Sequence, residues 1–344
     1  MTIRRIGPAL ALLIISPLIA EFLLGDFNIR QIAFALVFVP QYGGGALLAR
    51  EVTRRTNRGW PTMLLLALVF ALITEGFTNQ TLFNPNYAGQ HLLAYGFIPA
   101  LGTSLHFTTY LLTLHVVWSL GSSIAIAEGL AGARWREPWL RLPGLLVCSF
   151  LFLIGCAMTT SFTLRTFHFV ASVGQFAAVG VCILLATAVA FLGFRSSDDP
   201  SATSTSRLPS AGVVLVASLL LCSAFQFWFG YAPRHGVNAA FALLSLIGIV
   251  ACSLALFGKW SRRAGWGPTS VLAASMGAVL TYGWLSLRRF IVSGGTSLGV
   301  PTTPIDVVGQ VCLLFLMLGL GYIGWRRLPA ARSSGREHFA NETT

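Results

Sequence analysis

Long apolar runs alternate with short polar segments along nearly the whole chain. A helix of about 20 apolar residues is long enough to cross the roughly 30 Å hydrocarbon core of a bilayer. Ten runs meet this requirement, at 6–24, 32–49, 62–81, 103–126, 144–162, 168–194, 211–229, 237–257, 269–287 and 306–325. The pattern therefore predicts an all-α polytopic membrane protein with about ten transmembrane helices.

Composition and charge agree with this class and indicate an orientation. Apolar residues make up 55% of the chain and charged residues 10%, whereas soluble domains are about a quarter charged. If the N-terminus is cytoplasmic, 18 of the 23 Lys and Arg residues lie in inward-facing segments, as the positive-inside rule requires. We predict that both termini are cytoplasmic, in a bacterial inner (cell) membrane. The net charge of +12 then gives no reason to expect a nucleic-acid partner.

The six cysteines all fall within apolar runs, and no two of them form a CxxC pair. Cysteine in such a setting behaves as a small hydrophobic residue. We therefore predict six buried, unpaired cysteines. They give no sign of a metal site, and the sequence leaves any cofactor unknown.

A polar segment rich in Ser and Thr divides the apolar runs into six and four. We predict a first membrane bundle over residues 1–195, which carries the candidate polar site, and a flexible cytoplasmic linker over 196–210. A second bundle of four spans follows over 211–325. Residues 326–344 are predicted to form a disordered cytoplasmic tail.

Three of the ionisable residues within the first four apolar runs are candidates for a site, because charge is costly there. They are Glu21 in the first run, Glu75 in the third and His115 in the fourth. An ionised carboxylate at the bilayer centre costs about 2.5–3.5 kcal/mol, so such groups usually face a protein interior or a watery cavity. We expect Glu75 and His115 to pair, with Asn79 and Ser119 one helical turn beyond them. This pair is the candidate catalytic or substrate-binding centre, or equally a structural pair that fixes helix packing.

The second apolar run contains a helix-breaking sequence near its middle. Pro40 removes a backbone donor, and three glycines over 43–45 weaken the helix further. Transporters bind substrates at interrupted helices of this kind, so Gln41 and Tyr42 join the substrate-binding candidates. The alternative is that the small residues pack closely against a neighbouring helix.

Other polar groups near these runs are assigned to the membrane surfaces. Glu51 and Arg55 are four residues apart and are predicted to form a solvated ion pair. Glu128 is expected to reach the inner interface. The loop at 81–91 is rich in Asn, Gln and aromatic residues and joins the runs that carry Glu75 and His115. It is predicted to form a lid over a polar cavity, although turn chemistry alone would also explain its Asn and Pro residues.

Five short segments in about the first 140 residues carry a resemblance to a known group of proteins. The segments are Tyr42-Gly-Gly-Gly-Ala-Leu-Leu-Ala-Arg50-Glu51-Val-Thr-Arg-Arg55, Arg58-Gly-Trp-Pro-Thr62, Glu75-Gly76, Leu82-Phe-Asn-Pro-Asn-Tyr87 and His115-Val-Val-Trp-Ser119. Together they resemble a family of uncharacterised bacterial multi-spanning membrane proteins. In that family a second acid often precedes the Glu-Gly pair, and Thr74 stands in its place here. The resemblance implies a bacterial inner-membrane location and no known activity.

A pair of acids within a span would also resemble the intramembrane CAAX-protease and bacteriocin-processing enzymes. Their EExxxR, FxxxH and HxxxN-like motifs fail in this chain. Glu75 is a single acid, Leu164 rather than Phe lies four residues before His168, and Ser119 rather than Asn lies four residues after His115. The resemblance to these enzymes therefore does not extend beyond the isolated acid.

Three functions remain open at this stage. The first is transport or binding of a small or lipid-like solute through a polar cavity in the first four spans. The second is an intramembrane hydrolase-like enzyme, in which Glu75 and His115 act as acid and base or with a metal. The third is a non-catalytic subunit of a membrane complex, with a membrane-protein partner or a second copy of the chain. The lipid bilayer is a partner in each case.

Overall fold

The computed structural model describes residues 3–194 and 207–329, and within these ranges it contains ten helices able to span a membrane. The predicted class is thus confirmed. We number these helices spans 1 to 10, with the bounds Ile6–Leu23, Ile29–Arg55, Trp60–Thr78, Leu105–Arg134, Leu142–Phe167, Val173–Gly193, Ala211–Arg234, Ala239–Ser261, Pro268–Ser293 and Pro304–Arg327. The described strands are Phe97–Ile98 and Thr103–Ser104, which form an antiparallel hairpin.

Most of the predicted linker and tail, at 195–206 and 330–344, lies outside the described residues. Span 10 continues to Arg327, past the predicted start of the tail. Spans 2 and 4 are also longer at their Arg55 and Arg134 ends than their apolar runs, because charged residues that pair with one another continue both helices.

Spans 4 and 9 lie at the centre of the helix bundle, and spans 5, 6 and 8 lie at its periphery. Within their most apolar windows, 72% of span 4 and 61% of span 9 is buried, against 11% of span 8. The Trp118 ring of span 4 stacks on Tyr282 of span 9, with 4.7 Å between ring centroids. The hydrophobic core therefore joins helices from both sides of the predicted linker, and the division into two bundles stays a prediction.

Each of the first four spans, which carry the candidate site, contains a π-helical turn. These turns are Leu18–Leu23, Val39–Gly43, Ile73–Thr78 and His115–Ser122, in spans 1 to 4. Pro17 precedes the first turn and Pro40 lies in the second, where the missing amide donor disturbs the hydrogen-bond ladder. A π turn accommodates one extra residue in a helix and changes the direction of the side chains around it.

The glycines of span 2 also bring neighbouring helices very close to the broken segment. A Cβ atom at Gly43 would lie 2.3 Å from the Leu13 carbonyl oxygen, and one at Gly45 would lie 2.3 Å from the Phe70 ring. Both expectations for this segment therefore hold together: the helix is interrupted, and its small residues pack tightly against spans 1 and 3.

The cysteine prediction is partly wrong. All six cysteines are free, and Cys148 is buried, but Cys182, Cys252 and Cys312 are exposed on the surface of the bundle. An apolar run does not reveal which of its faces packs against protein. Cysteines on the outward faces of peripheral spans therefore lie where the lipid would be.

Loops 24–28, 79–104 and 294–303 lie at one end of the bundle, which we call the outer end after the predicted orientation. The loop at 79–104 is long but well structured, with positive φ angles at Gln80, Ala88 and His91. Tyr87 in this loop contacts Phe167 at the end of span 5, with 4.4 Å between ring centroids.

Candidate functional site

Glu75 and His115 form a buried pair between spans 3 and 4. His115 Nε2 lies 2.7 Å from Glu75 Oε1, and the two residues are 5% and 3% exposed. Asn79 donates a hydrogen bond to Glu75 Oε1 at 3.1 Å, and the Thr81 hydroxyl donates to Oε2. Both oxygens of the carboxylate thus have partners, and the loop after span 3 is tied directly to the site.

The other face of His115 contacts Ser119 and two aromatic rings. His115 Nδ1 lies 3.1 Å from Ser119 Oγ, so Ser119, His115 and Glu75 form a continuous hydrogen-bonded chain. The rings of Tyr42 and Phe70 each lie 5.8 Å from the imidazole, centroid to centroid. These contacts hold the imidazole in one orientation.

Glu21 lies on the same side of the bundle as the pair. The π turn that carries it packs against the π turn of span 4 that begins at His115, and its carboxyl lies within electrostatic range of the Tyr42 hydroxyl and of Glu75. Its side chain is only partly buried. The structure therefore brings Glu21, Tyr42, Glu75 and His115 together from four different spans.

Asp26 and Arg289 lie between this group and the outer end. Arg289 Nη1 is 3.9 Å from Asp26 Oδ1, and the two side chains are 22% and 26% exposed. Ser297 donates a hydrogen bond to Asp26, and Arg289 donates one to the Leu24 carbonyl at 3.1 Å. Burial raises the pKa of the Asp26 carboxyl above its usual range, although Arg289 acts in the opposite direction.

Sequence reasoning missed Asp26 and Arg289 as members of the site. Asp26 lies in a short loop, where an acid is ordinary. Arg289 carried a usable signal, because few basic residues fall on the side that the positive-inside rule predicts to be outer.

Gln41 is separate from the Glu75–His115 pair. Its amide nitrogen donates to Thr78 at 3.1 Å, and its oxygen accepts from Thr159 at 2.6 Å. These bonds join the broken part of span 2 to spans 3 and 5. Gln41 therefore stabilises the interruption and does not face the ionisable groups.

A second charged cluster lies near the other end of the bundle. Arg50 is fully buried and pairs with Glu51 at 2.6 Å and with Glu128 at 3.2 Å. Arg54 pairs with Glu128 at 2.7 Å, and the Arg50 guanidinium lies 3.4 Å from the Trp139 ring centroid. The predicted solvated position of Glu51 is thus wrong, because this acid is buried and pairs with a buried arginine. Glu128, which was expected to reach the interface, is also buried within the protein and pairs with two arginines.

Metal ligation has no support in the geometry of the described ranges. There, no group of three or more His, Cys, Asp or Glu side chains could hold one metal ion. The candidate site is instead a set of carboxylates, one imidazole and tyrosine hydroxyls, whose chemistry is proton exchange, ion pairing and hydrogen bonding.

These features define an all-helical membrane protein with a buried carboxylate–imidazole pair between spans 3 and 4. The chain belongs to an uncharacterised membrane protein family, whose model matches residues 10–260. This range contains most of spans 1 to 8, and the resemblance to such a family is confirmed. No curated protein and no solved structure matches the chain.

Proposed function

We propose that the protein binds a small polar or lipid-like solute beside the Glu75–His115 pair and transports it across a bacterial inner (cell) membrane. This proposal rests on one observation, that side chains from four spans lie close together. Spans 1 to 4 each present one side chain of the site from a π-helical turn, and these side chains are Glu21, Tyr42, Glu75 and His115. Four of the six π turns in the described residues each carry one of these side chains, and π turns are frequent at functional sites.

Asp26, Arg289 and Glu21 are all partly exposed, whereas Glu75 is almost fully buried. This difference supports entry of a solute from the side of Asp26 and Arg289. A carboxylate–imidazole pair can exist as two ions or as two neutral groups. Solute binding that favours one of these forms would therefore couple transport to a proton.

The test is a ligand screen on the purified full-length chain in lipid nanodiscs. Thermal unfolding is recorded with amines, amino acids, sugars, nucleosides and short-chain phospholipids. We expect at least one class to raise Tm, since a ligand that binds only the folded state stabilises it. The Tm increase should disappear in Glu75→Gln, which keeps the size of the side chain, and persist in Glu137→Gln, which removes an exposed acid.

The same screen on His115→Gln provides a second variant in case Glu75→Gln does not fold. Increases that survive in both variants, or no increase with any compound, would contradict the proposal. In the second case, the pair would serve helix packing in a membrane complex.

A second candidate function is favoured by one specific contact, the hydrogen-bonded chain from Ser119 through His115 to Glu75. Nucleophilic enzymes use a hydroxyl, a base and an orienting acid in this order. With the proton of His115 on Nε2 toward Glu75, Nδ1 can accept the Ser119 proton while the oxygen attacks an acyl carbon. His115 would then pass the proton to the leaving group, and water would release the acyl group from Ser119.

A fluorophosphonate probe separates this candidate from transport. An acyl-transfer site would be labelled at Ser119, and labelling would be lost in Ser119→Ala and reduced in Glu75→Gln. If the wild-type protein is not labelled but a ligand still raises its Tm, the enzyme is excluded and the transporter is supported.

A further inference from the structure

We propose that Ser16 of span 1 is a positioning residue for His115. Its hydroxyl fixes the backbones of two residues that contact the imidazole, Tyr42 and Ser119, so that the ring keeps one orientation toward Glu75. The inference rests on the proposed function, because it concerns the same Glu75–His115 pair. It is carried by hydrogen-bond distances, by burial and by the close approach of spans 1 and 2.

The hydroxyl of Ser16 joins three helices. Ser16 is fully buried, and its hydroxyl donates to the Ser119 carbonyl of span 4 at 2.8 Å and to the Tyr42 carbonyl of span 2 at 3.2 Å. Both carbonyls belong to π turns. One hydroxyl hydrogen is therefore shared between acceptors on two spans. Movement of either turn away from span 1 would break one of these hydrogen bonds.

The two residues that Ser16 holds are in direct contact with the imidazole. Ser119 Oγ lies 3.1 Å from His115 Nδ1, and the Tyr42 ring lies 5.8 Å from the imidazole, centroid to centroid. The hydrogen bond at one ring nitrogen of a histidine determines which nitrogen carries the proton. Because Ser16 fixes the backbone of Ser119, it also fixes the hydroxyl that faces Nδ1, and with it the direction of Nε2 toward Glu75.

The hydrogen bonds of Ser16 differ from those of other helical serines and threonines in the chain. Thr53, Ser149 and Ser286 each donate to the carbonyl four residues earlier in their own helix, which is a common pattern for these residue types. Ser16 donates to two other spans. Its hydroxyl therefore constrains the positions of spans 1, 2 and 4 relative to one another.

Close packing of spans 1 and 2 brings Ser16 within reach of these carbonyls. Leu13 lies three residues before Ser16, on the same face of span 1, and a Cβ atom at Gly43 would lie 2.3 Å from the Leu13 carbonyl oxygen. Pro17 has no amide hydrogen to donate to that carbonyl. Serine hydroxyls commonly satisfy backbone groups near such interruptions in membrane spans. The glycine beside Tyr42 and the proline beside Ser16 thus act together to hold spans 1 and 2 close at the site.

The experiment records nitrogen NMR spectra of isotope-labelled histidine side chains in the full-length chain in lipid nanodiscs, without added solute. The His115 signals are identified by their absence from His115→Gln. We expect one dominant imidazole orientation in the wild type. In Ser16→Ala, the population of a second orientation should rise about fivefold, the factor that corresponds to one hydrogen bond of about 1 kcal/mol.

The matched control is Ser218→Ala. Ser218 is also buried, and its hydroxyl joins spans 7 and 9 by donating to the Ala274 carbonyl at 2.6 Å. This substitution should leave the His115 signals unchanged, even if it lowers Tm as much as Ser16→Ala does. Ser16→Cys, whose thiol is a weak donor, should give a population between those of the wild type and Ser16→Ala.

His115 signals in Ser16→Ala that match the wild type would overturn the inference, as would an equal change in Ser218→Ala. If Ser16→Ala does not fold, a wild-type spectrum in Ser16→Cys would overturn it. Because no solute is needed, this failure is separate from failure of the proposed function. A solute that raises Tm, with an unchanged spectrum in Ser16→Ala, supports transport and removes only the role of Ser16. A changed spectrum in a chain that binds no solute supports the role of Ser16 and removes only transport.

Discussion

Glu75 and His115 show how a low-dielectric setting selects partners for individual residues. Neither group can remain charged alone at this depth without a large cost. Their contact at 2.7 Å, together with the hydrogen bonds that Asn79 and Thr81 donate to the carboxylate, offsets that cost for both groups. The pairing could be predicted because Glu75 and His115 are rare residue types within adjacent spans.

A double-mutant cycle measures this pairing. We expect Glu75→Gln and His115→Gln to be non-additive in the free energy of unfolding, with a coupling energy of about 1–3 kcal/mol. Equilibrium unfolding in mixed micelles gives the four values. Glu75→Gln combined with Glu137→Gln serves as the additive control, and additivity of the first pair would show that no direct interaction exists.

The charged cluster around Arg50 gives a stronger prediction for single residues. Glu128→Ala leaves Arg50 and Arg54 buried without their shared carboxylate, so we expect a loss of about 3–5 kcal/mol in unfolding free energy. Glu137→Ala removes an exposed acid on the same side of the bundle, and its effect should stay within about 0.5 kcal/mol. Equal effects of the two substitutions would mean that the buried cluster does not stabilise the fold.

At the scale of elements, the interruptions of spans 1 to 4 were only partly predictable. The Pro40 break could be predicted because proline cannot donate a backbone hydrogen bond. The π turns at Ile73–Thr78 and His115–Ser122 contain no proline, and their sequences are compatible with an ordinary helix. Contacts with neighbouring helices determine where these turns form. The sequence therefore did not predict that Glu75 and His115 would each lie on a π turn.

Close packing against the span 2 interruption gives the element-scale prediction. A Cβ atom at Gly155 of span 5 would lie 2.4 Å from the Gln41 backbone nitrogen, so Gly155→Ala should cost about 1–3 kcal/mol through overpacking. At Gly180 of span 6, no atom lies within 4 Å of where an added Cβ atom would be. Gly180→Ala should therefore be neutral or stabilise the helix by up to about 1 kcal/mol. Thermal unfolding in nanodiscs compares the two, and a harmless Gly155→Ala would show that spans 2 and 5 are packed less closely.

For the whole molecule, hydrophobic run lengths were enough to predict ten spans, because the bilayer thickness sets the length of each helix. They could not predict that spans 9 and 10 pack against spans 1 and 4. Gln310 of span 10 donates a hydrogen bond to the Leu23 carbonyl of span 1 at 2.9 Å, a contact between residues distant in sequence. Such contacts bring Arg289 of span 9 close to Asp26, and no local pattern encodes them.

We propose that the site on spans 1 to 4 is reached from the outside of the cell. Cysteine labelling tests this access: the six native cysteines are replaced with alanine, and Glu21→Cys is added or, as the control on the predicted inner side, Arg136→Cys, which lies at an exposed position. Intact cells are treated with a membrane-impermeant maleimide. We expect labelling of Glu21→Cys in intact cells and labelling of Arg136→Cys only after permeabilisation. A Glu21→Cys protein that stays unlabelled in intact cells, with or without labelling of Arg136→Cys, would contradict it.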